Sequence, residues 1–334
     1  MNLIKILKMN SKKFYQRFAK DYNLPINVFD EDMFKYYKRL YDFFPNEVFE
    51  ETIEMIVDDF HDNVEEWLEY CAEVRDNAIL EILNNPAYEH FNTSPMTSYD
   101  VKYPCGERSV YTQETDGKMF ISIDLKKANF QALKYVGVLK NYETYEKFIK
   151  HVGGDDYIAN SKYLRQVIFG KCNPSRQIKI EKFLMCRVYD GINIRMNNHG
   201  WKLYSFNSDE LIYEATENVY KNNALNTPDG VKRCMMEFLA GINGTISRYL
   251  DIETTVECFT IKRLPIINPN GSTVDAYVKK DFISGKEKLK KASTTFYPQI
   301  YKLWKGMNIT EKDRVFYFEN QLATFNESLK MEGN

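Results

Sequence analysis

The spacing of apolar and polar positions changes several times along the chain, and the changes divide it into zones. From residue 28 to 85 apolar residues recur at helical spacing with acids on the opposite face, in EDMFKYYKRLYDFF and PNEVFEETIEMIVDDFHDNVEEWLEYCAEVRDNAILEIL. Two long helices are predicted; Pro45 suits the start of the second, and Asn84, Asn85 and Pro86 end it. Residues 92–117, with Pro95, Pro104, Gly106 and Gly117, read as loop. Met119–Ile123 reads as a short buried strand with Asp124 at its end and a helix shortly after. Residues 156–188 are helical again, interrupted near Gly170 and Pro174, and a helix from about 176 to 198 leads to Gly200. Trp201–Phe206 and Leu211–Ala215 are predicted as paired strands around the turn NSDE, where Asn207, Ser208 and Asp209 are turn formers. A helix over 228–248, a strand in TTVECFTIKRL, a strand near 274–282 and short elements ending in FYFENQLATF complete an α+β pattern without internal repeats.

Composition narrows the class. The 334 residues are 44% hydrophobic and 28% charged, enough for two or three domains of an ordinary globular protein. The net charge of -2 excludes a global positive field, so any nucleic-acid binding must come from local patches. Cys71, Cys105, Cys172, Cys186, Cys234 and Cys258 show no CxxC spacing and no histidines near them, so no zinc site is predicted and reduced thiols are expected. His61, His90, His151 and His199 are read as incidental. The N-terminal MNLIKILKMNSKKF lacks a proper apolar core and cleavage site for a signal peptide, and no run approaches a membrane span. The expected location is cytoplasmic.

The chemistry centres on LYSFNSDELIYEA, which sets Asp209 and Glu210 between two apolar-rich runs. Charged side chains are rarely buried without a partner. Either the segment is a solvated hairpin turn or its carboxylates hold something positive. Asp124 also falls at a strand end. Between the two lies a basic helical zone with Lys162, Arg165, Lys171, Arg176, Lys179, Lys182 and Arg187. Acids at strand ends with a basic helix opposite suit two-metal phosphoryl transfer, in which the ions need a few hard oxygen ligands and the cations neutralise a triphosphate.

Three segments then carry a resemblance. ISIDLKKANFQALKYVGVLKNYETYEKFI resembles motif A of the family A DNA polymerases, the DNA polymerase I family, where a strand ends in an aspartate and runs on as D-Y-S-Q-I-E-L-R. SKYLRQVIFG is similar to motif B, R-x-x-x-K-x-x-x-F-G, and SFNSDELIYEA to motif C, H-D-E-L-x-x-E. The motifs stand in the family's order. RVYDGINIRMNNHGWKL and residues 228–262 resemble the flanking palm, so the likeness spans roughly residues 110–262.

The resemblance implies a polymerase-like right hand with an antiparallel palm sheet. Residues 1–95 would be a helical, thumb-like region, 96–155 the first part of the palm, 156–199 short fingers, 200–264 the second part of the palm, and 265–334 a C-terminal extension. It implies Asp124 and Asp209 as ligands of two Mg²⁺ ions, with Mn²⁺ as a substitute, Glu210 as a helper acid and the Leu125 carbonyl completing a metal site. Arg165 falls where the family has its phosphate-binding lysine, with Lys162 beside the motif B arginine position, and Phe169 where an aromatic stacks near the incoming nucleotide. Asn129 replaces the glutamate that helps exclude a ribose 2′-hydroxyl, Ser161 the motif B arginine, and Asn173 and Pro174 a tyrosine–glycine pair; Ser208 replaces the motif C histidine.

The expected function is template-directed nucleotidyl transfer to a 3′ end, as a compact polymerase or primase-like enzyme of the kind a phage or mobile element would carry. Its partners would be a primer–template or single strand and nucleoside triphosphates. A replication protein would be a candidate for the acidic N-terminal helices. Non-templated tailing, a catalytically idle nucleic-acid-binding scaffold and an unrelated metal-dependent nuclease are the other readings. Lys279, Lys280, Lys286, Lys288, Lys290 and Lys291, near Phe282, Phe296 and Tyr297, would either follow a single strand or form a solvated face.

Overall fold

The computed structural model describes residues 11–224 and 227–333. Most of the N-terminal run considered above for targeting lies outside them. Five helices open the described chain: α1 (Ser11–Asp21), α2 (Glu31–Leu40), α3 (Asn46–Asp59), α4 (Val64–Leu83) and α5 (Pro86–Thr93). The second long helix predicted from periodicity is two helices. His61 and Asp62 take positive φ values of 52° and 63°, and Asn63 restarts the helix by accepting a hydrogen bond from the Glu66 N–H. The reversal lets Phe49, Ile53 and Ile56 of α3 and Trp67, Cys71 and Val74 of α4 all enter the core. Phe14 and Phe18 of α1 pack there too, with the Phe14 ring edge-on to Trp67 at 5.7 Å.

The central region follows as β1 (Met119–Leu125), α6 (Ala128–Tyr135), α7 (Tyr145–His151), α8 (Asp156–Asn160), α9 (Lys162–Gly170), α10 (Pro174–Asn198), β2 (Trp201–Phe206), β3 (Glu210–Ala215), α11 (Glu217–Ala224), α12 (Pro228–Tyr249) and β4 (Thr254–Arg263). The last part contains β5 (Ile266–Ile267), β6 (Thr273–Val274), β7 (Tyr277–Asp281), β8 (Glu287–Lys290), α13 (Tyr297–Trp304), β9 (Val315–Phe318), β10 (Gln321–Thr324) and β11 (Lys330–Met331). Six strands form one antiparallel sheet in the order β2-β3-β1-β4-β7-β8. The protein is therefore α+β, as the pattern predicts, and its main sheet is antiparallel, as the resemblance implies. The boundary expected after residue 264 does not separate the last segment from the sheet, because β7 and β8 extend it beyond β4.

Alternation along the strands gives the sheet two unlike faces. Ile121, Ile123, Leu211, Tyr213 and Cys258 belong to the main core, where α10 and α12 pack against the sheet. Phe120, Ile212, Phe259, Ile261 and Tyr277 form a smaller apolar cluster with Val110 on the other face. That face turns polar toward the end of β1.

Two buried polar clusters join the termini to this frame. Asp21, at the end of α1, accepts hydrogen bonds from Arg17 Nε at 2.7 Å, Tyr157 Oη at 2.6 Å and Ser161 Oγ at 2.8 Å. Ser161 also caps α9 by accepting the Leu164 N–H at 3.0 Å, so one side chain ties α9 to α1. Asp313 is fully buried and accepts from Lys302 Nζ at 2.7 Å, the Thr310 N–H at 2.6 Å and the Tyr36 hydroxyl, which links the last segment to α2. All six cysteines are unpaired. Among the described residues no helix is long and apolar enough to cross a membrane.

Candidate active site

The open face of β1 carries Phe120, Ser122 and Asp124, while Ile121, Ile123 and Leu125 enter the core. Antiparallel pairing sets Asp124 opposite Glu210 on β3 and Thr255 on β4, and sets Ser122 opposite Ile212 and Glu257. Such partners have Cα atoms about 4.5–5.5 Å apart. Asp209 lies in the turn before β3. The Asn207 N–H donates to the Glu210 carbonyl at 2.9 Å, and Asn207 Oδ1 accepts the Ser208 N–H at 2.6 Å. The Leu125 N–H donates to the Asp209 carbonyl at 2.7 Å, which fixes this turn against the end of β1. Asp124, Asp209 and Glu210 therefore meet at one corner of the sheet although two helical zones separate them in the chain.

Two further acids join them. Glu257 of β4 shares the open face and forms an ion pair with Lys279 of β7. Glu181 of α10 is buried and accepts a hydrogen bond from Asn129 Nδ2 at 2.9 Å. Neither lies in a quoted motif segment, yet both left a signal. Glu257 alternates with Thr255 and Phe259, and Glu181 interrupts the apolar stripe Ile180, Leu184, Met185 and Val188.

The crowding shows in the proton affinities. Burial first, then the charges of Asp209, Glu210 and Glu257, raise the Asp124 carboxyl from 3.8 to about 7, with Lys279 pulling the other way. Glu181 is pushed from 4.5 to about 7, mainly by burial and then by Asp209, against the Asn129 hydrogen bond. Glu210 is also raised by burial, although the Ser122 hydroxyl donating at 2.5 Å and Lys279 favour its charged form. Carboxylates gathered this closely favour a proton or a cation among them.

The donors are hard oxygens. Magnesium is typically held by one or two carboxylates together with waters and substrate phosphates, and Asp124 and Asp209 meet that demand. The Leu125 carbonyl stands at the same end of β1. Among the described residues no group of three or more His, Cys, Asp and Glu side chains forms a metal cage by itself.

Cations approach from two sides. Arg165 of α9 is half-buried and lies 5.9 Å from the Tyr145 ring centre. Burial lowers its pKa, while Tyr145 and the charge of Asp124 oppose that shift. Lys127 holds the left-handed position before α6 with φ of 54°, pairs with Glu146, and sits 5.2 Å from the same ring. Burial first, then Arg165 and Lys126, draw its ammonium down to about 8. From the sheet side comes Lys279, 4.0 Å from the Phe259 ring centre. Lys162 is exposed at the first position of α9.

The structure corrects one expected role. Phe169 is only 1% exposed and packs 5.8 Å from Tyr145, because the spacing of Leu164, Ile168 and Phe169 turns that side of α9 into the core. It offers no free face to a nucleotide. Asn129 is likewise engaged, with Glu181 as its partner.

Comparisons with protein-family models, with curated proteins and with solved structures found no match for this chain.

Proposed function

We propose that the protein is a nucleotidyltransferase that extends the 3′ end of a nucleic acid, with a palm related to that of the family A DNA polymerases. The observation that carries this reading is the meeting of Asp124 with Asp209 and Glu210 across β1 and β3, with the charge of Asp124 felt at Arg165. Asp124 and Asp209, with the Leu125 carbonyl, would hold two Mg²⁺ or Mn²⁺ ions. When bound, these ions supply activation of the attacking hydroxyl and neutralisation of the departing pyrophosphate. Arg165 and Lys279 lie near the acids and favour the polyanionic triphosphate over neutral ligands. The primer 3′-hydroxyl displaces pyrophosphate from the α-phosphate in line.

In this reading α8 and α9 are reduced fingers and the sheet with α12 is the palm, which α10, expected within the fingers span of 156–199, joins by packing on β2 and β3. The N-terminal helices take the place of a thumb. Being tied to α9 through Asp21 and to the last segment through Asp313, they would act as a brace. The protein is read as working with a primer–template or a single strand and with nucleoside triphosphates. Non-templated tailing is the second reading, favoured by the burial of Phe169 and the engagement of Asn129. A site without a free aromatic platform or sugar gate selects its nucleotide weakly.

Incubation with Mg²⁺, labelled dNTPs or rNTPs, and primed, unprimed or single-stranded substrates tests the proposal. Incorporation that Asp124→Ala and Asp209→Ala abolish supports it, and dependence on template sequence separates templated from tailing activity. Absence of incorporation in every combination, with Asp124→Ala indistinguishable from wild type in nucleotide binding, would assign the chain to a non-catalytic role.

A further inference from the structure

The largest cleft among those described, about 510 Å³, lies away from the paired aspartates at the far edge of the sheet. One wall is β8 and the residues after it. Because consecutive residues from Glu287 to Ala292 all line the cleft, β8 presents its backbone edge there, and among the described residues that edge has no neighbouring strand. The opposite wall brings Phe43, Tyr297 and Trp304. Phe43 is 42% exposed, and Trp304 is partly exposed.

The charge is one-sided. Lys288, Lys290 and Lys291 line the cleft, and among the described residues none forms an ion pair. The acid beside them, Glu287, is paired with Lys280 at 3.1 Å. Strand register places Lys288 beside Lys279 and Lys290 beside Tyr277, so these lysines continue the open face that begins at Asp124 and Glu257. The face therefore runs from acidic at β1 and β3 to basic at β8. Lys290 loses proton affinity to burial first and then to Lys279 and Lys288, and Lys162 adds to the same effect. Glu257, already paired with Lys279, opposes this shift only in part, so positive charge is in excess around Lys290.

We propose that this cleft binds single-stranded nucleic acid, with the phosphates on Lys288, Lys290 and Lys291 and the bases against Phe43 and Trp304. Stacking on aromatic rings beside lysines is how sequence-tolerant single-strand sites work. A duplex keeps its bases stacked inside and cannot offer them to these rings. A peptide added along the β8 edge would use the backbone but leave three lysines without counter-charge. Since the basic strip is continuous with the face bearing Asp124, a strand held here would lead toward the acids.

Fluorescence anisotropy with a labelled oligothymidylate of about 16 nucleotides, in EDTA and without nucleotide, tests the site independently of catalysis. The double variant Lys288→Glu/Lys291→Glu changes two exposed side chains, and an unchanged melting transition verifies its fold. It is expected to weaken binding tenfold or more and to reduce the slope of log K against log salt by about 1.4, at about 0.7 for each lost phosphate contact. Phe43→Leu is expected to weaken oligonucleotide binding several-fold while leaving the slope of log K against log salt unchanged. No binding by the wild type, or equal binding by the double variant, would overturn the proposal. So would displacement by tripolyphosphate or by an acidic peptide at the same charge concentration as the oligonucleotide.

Discussion

Replacing Asp124 by asparagine keeps the shape of the side chain and removes one charge from a crowded corner. In the folded protein the carboxyl is raised from 3.8 to about 7, chiefly by burial and then by Asp209, Glu210 and Glu257. Between those two pH values the folded chain holds more protons than the unfolded chain, so stability falls as pH rises through this window, and the whole penalty is present at pH 8. A rise of that size corresponds to ~4 kcal/mol at 1.36 kcal/mol for each pH unit. Partial exposure of Asp124 and solvent screening reduce this to about 1–2 kcal/mol. Without divalent ions at pH 8, Asp124→Asn is therefore expected to melt about 1.5–3 °C above wild type, from an unfolding entropy of roughly 2.1 cal/mol/K per residue. The difference should vanish as pH falls toward 4. Added Mg²⁺ should raise the melting temperature of wild type and not that of the variant. Thermal melts at pH 4, 6 and 8, with and without Mg²⁺, check this. A variant less stable than wild type at pH 8 without metal, or equally responsive to Mg²⁺, would refute the reasoning.

Other consequences lie elsewhere in the molecule and at the proposed site. Asp21→Ala leaves Arg17, Tyr157 and Ser161 without their shared acceptor and should cost about 3–5 kcal/mol in urea unfolding, because a buried cation loses its partner. Arg165→Ala should raise the apparent KM for nucleoside triphosphate about tenfold or more in steady-state extension assays, with partial rescue by Arg165→Lys, since the charge returns without the fork. Because a proton competes with metal at Asp124, apparent Mg²⁺ affinity should increase with pH up to about 7 and level off above it, as read by calorimetric titration.

What the sequence revealed depended on how local the cause is. β1 and the β2–β3 hairpin were legible because alternation and the turn formers Asn207, Ser208 and Asp209 act within a few residues. The meeting of Asp124 and Asp209 followed from motif order rather than from any local signal. The break between α3 and α4 was hidden because the apolar period runs on through Phe60, while the turn depends on the left-handed backbone at His61 and Asp62. Glu181 and Glu257 escaped because their roles come from burial and strand register, which join distant segments. Phe169 was placed by motif position, although the helical spacing of Leu164 and Ile168 already marks its side of α9 as core. The lysines of β7 and β8 were visible as a run, but only the sheet separates Lys279 and Lys280, which are ion-paired, from Lys288, Lys290 and Lys291, which line the cleft.

Crystals soaked with Mn²⁺ and a non-hydrolysable nucleoside triphosphate analogue, with diffraction recorded at the manganese edge, offer the most direct measurement. Anomalous peaks about 2.0–2.2 Å from carboxylate oxygens of both Asp124 and Asp209, with the analogue's phosphates completing the coordination, are the predicted result. Bound analogue with manganese away from either aspartate, or an analogue seated elsewhere on the molecule, would contradict the account.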